Sequence, residues 1–216
     1  MIARWDIIQG SLDWFEARYG KIGGTTSKQL MIDSGALLEE LISTRLEPFE
    51  APKDGYASEE MQRGAELEPM ARVALSEYTG LGFLECGWLQ SESHTMLGIS
   101  PDGITEDLRF ECEIKCPSRK KHTANLLCGE IPLEYLPQCV HSFTVNPTLE
   151  RKYFLSFRPE SKYPMYVKSI TRDSIVNLGT NSRPVLKTVS DWVEVSKKKH
   201  DALEVSILAH LSILDF

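Results

Sequence analysis

The chain has 216 residues and a formal net charge of −7, with 42% hydrophobic and 25% charged residues. This composition is typical of a globular protein and too apolar for a disordered chain, and no run approaches the roughly 18 apolar residues of a membrane span. The acidic charge disfavours uniform coating of nucleic acid but leaves open a local basic groove or a carboxylate cluster for a divalent cation.

The first ten residues, MIARWDIIQG, lack the basic and then apolar pattern of a secretory signal, so we expect a cytoplasmic protein. The five cysteines form no C-x-x-C pair, and an odd number in such a chain predicts reduced thiols. Cys112 and Cys116 are four residues apart, but no second pair completes a zinc or iron–sulfur site. We therefore do not expect a structural metal.

The first half of the chain is predicted to be mainly helical. Capping residues and apolar periodicity indicate three helices: one that Ser11 caps and Gly20 stops, one over Ser27–Ile32, and a longer one over Ser58–Tyr78. Pro69 interrupts the last of these, so this helix either kinks there or begins later.

The middle of the chain changes to the period of strands. Three strands are predicted, at Phe83–Leu89, His94–Ser100 and Leu108–Cys116, and a hairpin at Lys152–Phe157 and Tyr163–Ile170. Helices are predicted at Leu133–Val145 and Val189–Leu214. Without repeats or linkers, this order predicts a single α/β (α+β) domain over residues 1–216, with a central mixed β-sheet flanked by helices.

The turn Ser100-Pro101-Asp102-Gly103, followed by Glu113-Ile114-Lys115, is the most informative stretch. Side chains alternate along a strand, so Glu113 and Lys115 point to one face while Ile114 points into the core. A short hairpin would bring Asp102 alongside Glu113.

Such a cluster can hold a hard cation and act on a phosphate. Mg²⁺ prefers carboxylate and carbonyl oxygens, which Asp102, Glu113 and the carbonyl of Ile114 would supply. Lys115 could orient a water molecule and stabilise charge on the phosphate. The alternative is a solvated strand edge, and Glu111 on the same face fits either interpretation.

An acidic residue followed by E-x-K across a hairpin is the core pattern of the PD-(D/E)XK nuclease superfamily, and SPDG with EIKCP resembles its lambda-exonuclease or YqaJ-type viral recombinase family. Three further segments agree in order. Trp14–Ile22 resembles the family's W-x-x-x-R-x-G-x-I/T element, Gly64–Glu68 its G-x-x-x-E helix, and Tyr135–Gln138 its Y-x-x-Q helix. The resemblance runs from about residue 14 to 170 and implies a restriction-endonuclease-like core.

The resemblance also implies roles for the acidic site. Two Mg²⁺ ions, for which Mn²⁺ can substitute, would bind Asp102, Glu113 and the Ile114 carbonyl, while Lys115 would position or activate the attacking water. Glu68 would be a helix-borne carboxylate near the second ion, or else a solvated helix acid. Gln138 would reach back toward Lys115 and the water, or else be a plain polar helix position.

A pocket for the 5′-terminal phosphate is implied as well. Arg18 is its best candidate, since a guanidinium matches phosphate in a bidentate fork. Ser100 and Thr25 would add hydroxyls, with Thr26 or Ser27 as alternatives to Thr25. Either Arg119 or Lys121, from the basic run Arg119–His122, would complete the pocket. Trp14 would wedge against DNA or belong to the core.

Other candidates are weaker. The run Lys197–His200 is predicted to face solvent, and His94, His122 and His141 show no ligand spacing with one another. The sequence contains no P-loop, so no ATP site is expected.

The resemblance therefore implies an ATP-independent 5′→3′ exonuclease on double-stranded DNA that releases 5′-mononucleotides and leaves 3′ single-stranded tails. It further implies a homotrimeric ring and a single-strand annealing protein as partner in phage-type recombination. The alternatives are a PD-(D/E)XK endonuclease that cuts internal sites, a non-catalytic DNA-binding or assembly module, and an α/β protein in which the two motifs are accidental.

Overall fold

The computed structural model describes residues 1–52 and 59–214, without the side chain of Glu59. The elements in chain order are β1 (Ile2–Arg4), α1 (Leu12–Arg18), α2 (Ser27–Met31), α3 (Gly35–Leu46), α4 (Glu59–Thr79), β2 (Trp88–Gln90), β3 (Gly98–Ile99), β4 (Gly103–Ile104), β5 (Phe110–Lys115), α5 (Arg119–Cys128), α6 (Leu136–Val145), β6 (Arg151–Phe157), β7 (Met165–Thr171), β8 (Ile175–Asn177), β9 (Leu186–Thr188) and α7 (Val189–Leu214).

The sheet that carries the predicted motif has four strands in the order β4-β5-β6-β7. β5 is antiparallel to β4 and parallel to β6, and β6 is antiparallel to β7. Parallel neighbours need a long crossover, and α5 and α6 provide it between β5 and β6. Two smaller antiparallel sheets have the orders β1-β2-β3 and β8-β9.

The two faces of β5 differ in chemistry. Cys112 and Ile114 are buried in an apolar cluster with Ala71 and Leu75 of α4. The opposite face carries Glu111, Glu113 and Lys115. This alternation confirms the strand geometry predicted for the motif. The polar face of β5 is directed toward α6.

Most long elements match the predictions. The hairpin formed by β6 and β7 is confirmed, α7 has the predicted bounds, and α4 continues through Pro69. Ser58, the predicted first residue of that helix, lies outside the described residues. The mixed sheet flanked by helices confirms the predicted fold class. No helix within the described ranges has the length and apolar character needed to cross a membrane.

The two strands predicted before β5 are much shorter than expected. The first is limited to Trp88–Gln90, and just before it the backbone at Gly87 packs so closely that a Cβ atom there would lie 2.1 Å from the carbonyl oxygen of Ile7. The second is limited to Gly98–Ile99 because His94–Leu97 forms a turn, in which the Leu97 amide donates to the His94 carbonyl at 2.8 Å.

Two helices were not predicted. In α3, Leu37 and Leu41 are buried one turn apart, a spacing that would have indicated a helix. The other, α5, begins at Arg119 within the basic run, and its buried residues are His122 and Asn125. A helix that buries polar side chains has no apolar stripe to reveal it.

Candidate active site

The structure brings Asp102, Glu113 and Lys115 together at the junction of β4 and β5. The amide of Ile114 donates to Oδ2 of Asp102 at 2.6 Å, which ties the turn to the strand. Nζ of Lys115 lies 3.8 Å from the same oxygen and forms an ion pair with Oε1 of Glu113. The convergence predicted from the spacing is present, whereas the catalytic roles stay predictions.

Burial and mutual repulsion dominate the electrostatics of this cluster. Burial and the neighbouring Glu113 raise the pKa of Asp102 from 3.8 to about 7, although Lys115 opposes the shift. Burial lowers the pKa of Lys115, but Glu113 and Asp102 outweigh it and raise that pKa overall. The lysine therefore stays charged, but its single positive charge does not balance both neighbouring carboxyl groups.

The burial and hydrogen bonding of the Glu113 carboxylate show whether the site fits a metal ion. The Glu113 side chain is 1% exposed; Oε1 is in the ion pair with Lys115, whereas Oε2 has no hydrogen-bond partner among the described residues. Buried polar atoms normally find partners, and hard cations take carboxylate oxygens as ligands. The cluster therefore fits Mg²⁺, which Asp102, Glu113 and the carbonyl of Ile114 would hold.

A cleft of about 720 Å³ opens on one side of the cluster, lined in part by Asp102, Lys115 and Glu68 of α4. Oε1 of Glu68 accepts from Nη2 of Arg72 at 2.6 Å, and Nε of Arg72 donates to the Asp102 carbonyl at 2.6 Å. Burial raises the pKa of Glu68 despite this arginine. Arg72 thus links the helix acid to the turn. Sequence reasoning missed Arg72, although its position four residues after Glu68 is the spacing of an ion pair on one face of a helix.

A second buried ion pair lies beside Glu113. Lys152 of β6 and Glu111 of β5 face each other in the parallel register and form an ion pair, with Lys152 1% and Glu111 0% exposed. Oγ of Ser142 donates to Glu111 at 2.7 Å, and Nζ of Lys152 lies 3.7 Å from Oε2 of Glu113. The face is therefore not a solvated strand edge.

Sequence reasoning also missed Lys152. Burial lowers its pKa, but Glu111 and Glu113 outweigh that effect and raise it. A single lysine in an otherwise apolar strand, KYFLSF, was the available signal.

The residues predicted for the 5′-phosphate meet on the other side of Glu113. Arg18, Thr25 and Ser100 line a cavity of about 40 Å³ together with Glu113. Gln138, which was predicted to reach toward Lys115 and the water, lines this cavity and not the cleft that contains Lys115. Burial lowers the pKa of Arg18, and no acidic group of the described chain offsets this shift. A guanidinium without a protein carboxylate is available to an anionic ligand.

The hydroxyl alternatives differ in orientation. Oγ1 of Thr26 accepts from the Gly23 amide at 2.9 Å, and Oγ of Ser27 donates to the Gly24 carbonyl at 2.6 Å. Both are thus engaged by the turn, whereas Thr25 is exposed and lines the cavity. This arrangement favours Thr25.

Trp14 and Gln138 pack around this cavity. Nε1 of Trp14 donates to Oγ of Ser100 at 2.7 Å, and the Arg18 guanidinium stacks 3.9 Å from its ring centroid. Gln138 lies against Gly24, where a Cβ atom would be 2.7 Å from Cγ of Gln138. Trp14 therefore orients two predicted phosphate ligands. The absence of a side chain at Gly24 makes room for Gln138.

The residues of the basic run lie in different environments. Lys121 forms an ion pair with Glu134 and lines the large cleft, whereas Arg119 is exposed and lines neither the cleft nor the cavity. Nε2 of His122 lies 2.8 Å from the Tyr163 carbonyl and is buried. Neither of the two candidates for the pocket therefore lines the cavity around Arg18, and Lys121 lies instead at the cleft beside the acidic cluster.

The prediction that Lys197–His200 faces solvent is wrong for His200. This residue is on the buried side of α7, with its side chain 1% exposed. His94, which showed no ligand spacing with the other histidines considered, lies beside it, and the ring centroids are 5.0 Å apart.

Comparison with known proteins gives one family and several structures. The model of the YqaJ-like viral recombinase domain matches residues 13–148. A crystal structure of an alkaline exonuclease, LHK-Exo from Laribacter hongkongensis, is 24% identical with a TM-score of 0.76, over 94% of this chain and 96% of that one.

LHK-Exo in complex with dAMP gives 23% identity and a TM-score of 0.74, over 94% of this chain and 96% of that one. A phage-related exonuclease from Haemophilus somnus 129PT is 10% identical, with a TM-score of 0.53 over 88% of this chain and 96% of that one. No curated protein matches the sequence. The structural likenesses show that the fold is shared.

Proposed function

Since the chain belongs to the YqaJ-like viral recombinase family, we propose that it is a Mg²⁺-dependent, ATP-independent exonuclease that degrades one strand of double-stranded DNA in the 5′→3′ direction. It releases 5′-mononucleotides and leaves 3′ single-stranded tails. The family and the alkaline exonuclease fold support a nuclease of the lambda-exonuclease type. The direction, duplex substrate and metal belong to the proposal.

The convergence of Asp102, Glu113 and Lys115 carries the proposal. The bound metal ions would polarise the scissile phosphate and lower the pKa of the attacking water. Lys115 stays protonated beside both carboxylates, so its ammonium orients the water and stabilises charge on the phosphate rather than removing a proton. Glu68 faces the same cleft and would bind near the second ion.

The phosphate cavity supports an enzyme that begins at DNA ends. Arg18 is half-buried without a carboxylate partner in the described chain, and Ser100 and Thr25 lie around it. A terminal phosphate has more charge than an internal one, so a guanidinium without a carboxylate partner favours it. This arrangement would place the first phosphodiester near the metal ligands.

The family also suggests the assembly and setting of the enzyme. We propose a homotrimeric ring around DNA, a single-strand annealing protein as partner, and the cytoplasm of a bacterial host with phage or prophage origin. A ring with an acidic exterior and a basic channel would reconcile the net charge of −7 with DNA binding.

Digestion of matched substrates tests the activity. With Mg²⁺ and no ATP, we expect linear duplex with a 5′-phosphate to be degraded to mononucleotides while the closed circular plasmid stays intact. Lys115→Ala should abolish the reaction. Lys198→Ala, which removes an exposed lysine of α7, should retain it.

The other outcomes decide between the alternatives. Cutting of the closed circle would favour the endonuclease. Failure to degrade either substrate with Mg²⁺ or Mn²⁺, in protein that binds duplex DNA, would favour a non-catalytic module.

A further inference from the structure

His94, His200 and Asp201 form a cluster outside the proposed nuclease machinery. His94 lies in the turn between β2 and β3, and the other two residues are on α7. Their possible ligand atoms all lie within 4.8 Å of one another. None of the three lines the nuclease cleft or the phosphate cavity.

The two imidazoles converge on one carboxylate oxygen. Nδ1 of His200 lies 3.2 Å from Oδ1 of Asp201, and Nε2 of His94 lies 3.7 Å from the same atom. The rings meet edge to face, with an interplanar angle of 86°. Two imidazole nitrogens and one carboxylate oxygen this close together form a donor set suited to a divalent transition metal.

The surroundings hold His94 in place. Its Nδ1 lies 2.9 Å from Oγ of Ser93, and its backbone amide donates to Oγ of Ser91 at 3.2 Å. A hydrogen bond from Nδ1 to the serine leaves the lone pair of Nε2 directed at the cluster. Metal-binding histidines are typically oriented by such a bond from the other ring nitrogen.

His200 gives a second, independent observation. Its side chain is 1% exposed, and Nδ1 is the ring nitrogen that faces Asp201, whereas Nε2 has no hydrogen-bond partner in the described part of the chain. Metal binding gives a reason to keep an imidazole at this position.

We propose that His94, His200 and Asp201 bind one Zn²⁺ ion, with water as the remaining ligand, at a site separate from the Mg²⁺ ligands. Imidazole nitrogens favour Zn²⁺ over Mg²⁺, which takes oxygen ligands. The ion links the turn that precedes β3 to α7, so its role is to stabilise the fold. The cysteine spacing, from which no structural metal is expected, gives no information about these histidines.

Metal titration of the full-length protein tests the site. Asp102→Asn with Glu113→Gln first removes the carboxylate site, and calorimetry then measures Zn²⁺ binding to metal-free protein. We expect one equivalent to bind and to raise the melting temperature, because the ion binds the folded state. Co²⁺ should give visible bands of nitrogen and oxygen ligation without the near-ultraviolet band of thiolate ligation.

Variants of the partly exposed ligands avoid the folding problem that a change at buried His200 would cause. His94→Gln or Asp201→Asn should weaken Zn²⁺ binding at least about tenfold and remove the thermal shift. His210→Gln, at an exposed histidine of the same helix, should do neither. The proposal is overturned if Zn²⁺ does not bind, if both ligand variants bind it normally, or if Co²⁺ reports thiolate ligands. None of these results depends on nuclease activity.

Discussion

At the scale of single residues, the site depends on charges that are buried next to one another. Glu113 has Lys115 on one side and the Glu111–Lys152 pair on the other. Each ion is costly to bury alone, and its neighbour offsets that cost. The two lysines therefore hold the Glu113 carboxylate in place within the cluster.

Removing one member of the Glu111–Lys152 pair should lower the free energy of unfolding more than removing both members. Lys152→Met leaves Glu111 buried without its counter-ion and should lower the free energy of unfolding by about 3–5 kcal/mol. Adding Glu111→Leu should restore part of that loss, because no unpaired charge remains. Urea denaturation of both variants and of a surface Lys198→Met control measures the difference. A double variant that is less stable than Lys152→Met would contradict this account.

Arg18 should distinguish DNA ends by their 5′-phosphate. A charge-assisted hydrogen bond contributes about 1.5–3 kcal/mol, so Arg18→Ala should reduce the preference for a 5′-phosphate over a 5′-hydroxyl end by roughly ten- to hundredfold. Degradation rates on the two ends, measured side by side, give the preference. Arg119→Ala should leave the preference unchanged, since that residue is outside the cavity. Equal losses on both ends would indicate a general DNA contact instead.

At the scale of elements, α6 ties the chain around Ile22 to β3. Nε2 of His141 lies 3.1 Å from the carbonyl oxygens of both Ile22 and Gly98. Its N–H therefore donates a hydrogen bond that the two backbone carbonyls share. The helix, rather than the short strands themselves, sets the spacing between these segments.

His141 should make the protein sensitive to acid. Burial lowers its pKa from 6.5 to about 4, so the unfolded chain takes up a proton at a higher pH than the folded one. This contribution to stability is complete above the unfolded pKa and is lost as pH falls through the interval between the two values. Between about pH 7.5 and about pH 5 the loss should be about 2 kcal/mol.

His141→Gln keeps an amide donor near the position of Nε2 but cannot titrate. Urea denaturation across this pH interval should therefore show the advantage of wild type over the variant shrinking as pH falls. Parallel stability curves for the two proteins would contradict the shift.

The elements also show what the sequence could predict. The long amphipathic helix α7 and the regular hairpin β6–β7 follow from local periodicity, and so does the Asp102–Lys115 cluster, whose members are close in the chain. Lys152 and His200 acquire their roles only through contacts with Glu111 and His94, far away in sequence. No local pattern encodes the parallel register of β5 and β6 or the packing of α7 on the β2–β3 turn.

At the scale of the whole molecule, the described surface contains apolar side chains that a monomer leaves exposed. Val205, Leu208, Ile213 and Leu214 project from the end of α7, each at least half exposed. Exposed apolar groups of this kind are common where subunits meet. The prediction of a single domain over residues 1–216 and the proposed ring both concern this scale, and both stay predictions.

The proposed ring predicts the mass of the particle that the protein forms in solution. Light scattering of the purified protein should give about three times the chain mass of 24.4 kDa. The value should persist on dilution if the interface is as stable as an enclosed DNA substrate requires. A particle with the mass of one chain would refute the ring while leaving the chemistry of Asp102, Glu113 and Lys115 open to the digestion assay.

The parallel pairing of β5 with β6 also has a consequence for protein synthesis. Lys152 is 41 residues later in the chain than Glu111, and at about 5–20 residues per second a ribosome needs roughly 2–8 s to cover that distance. During this interval the nascent chain holds Glu111 without the lysine that balances it, so β5 cannot be buried stably. We therefore expect the nuclease site to assemble only after β6 emerges, and a ribosome stalled before Lys152 to display an inactive chain.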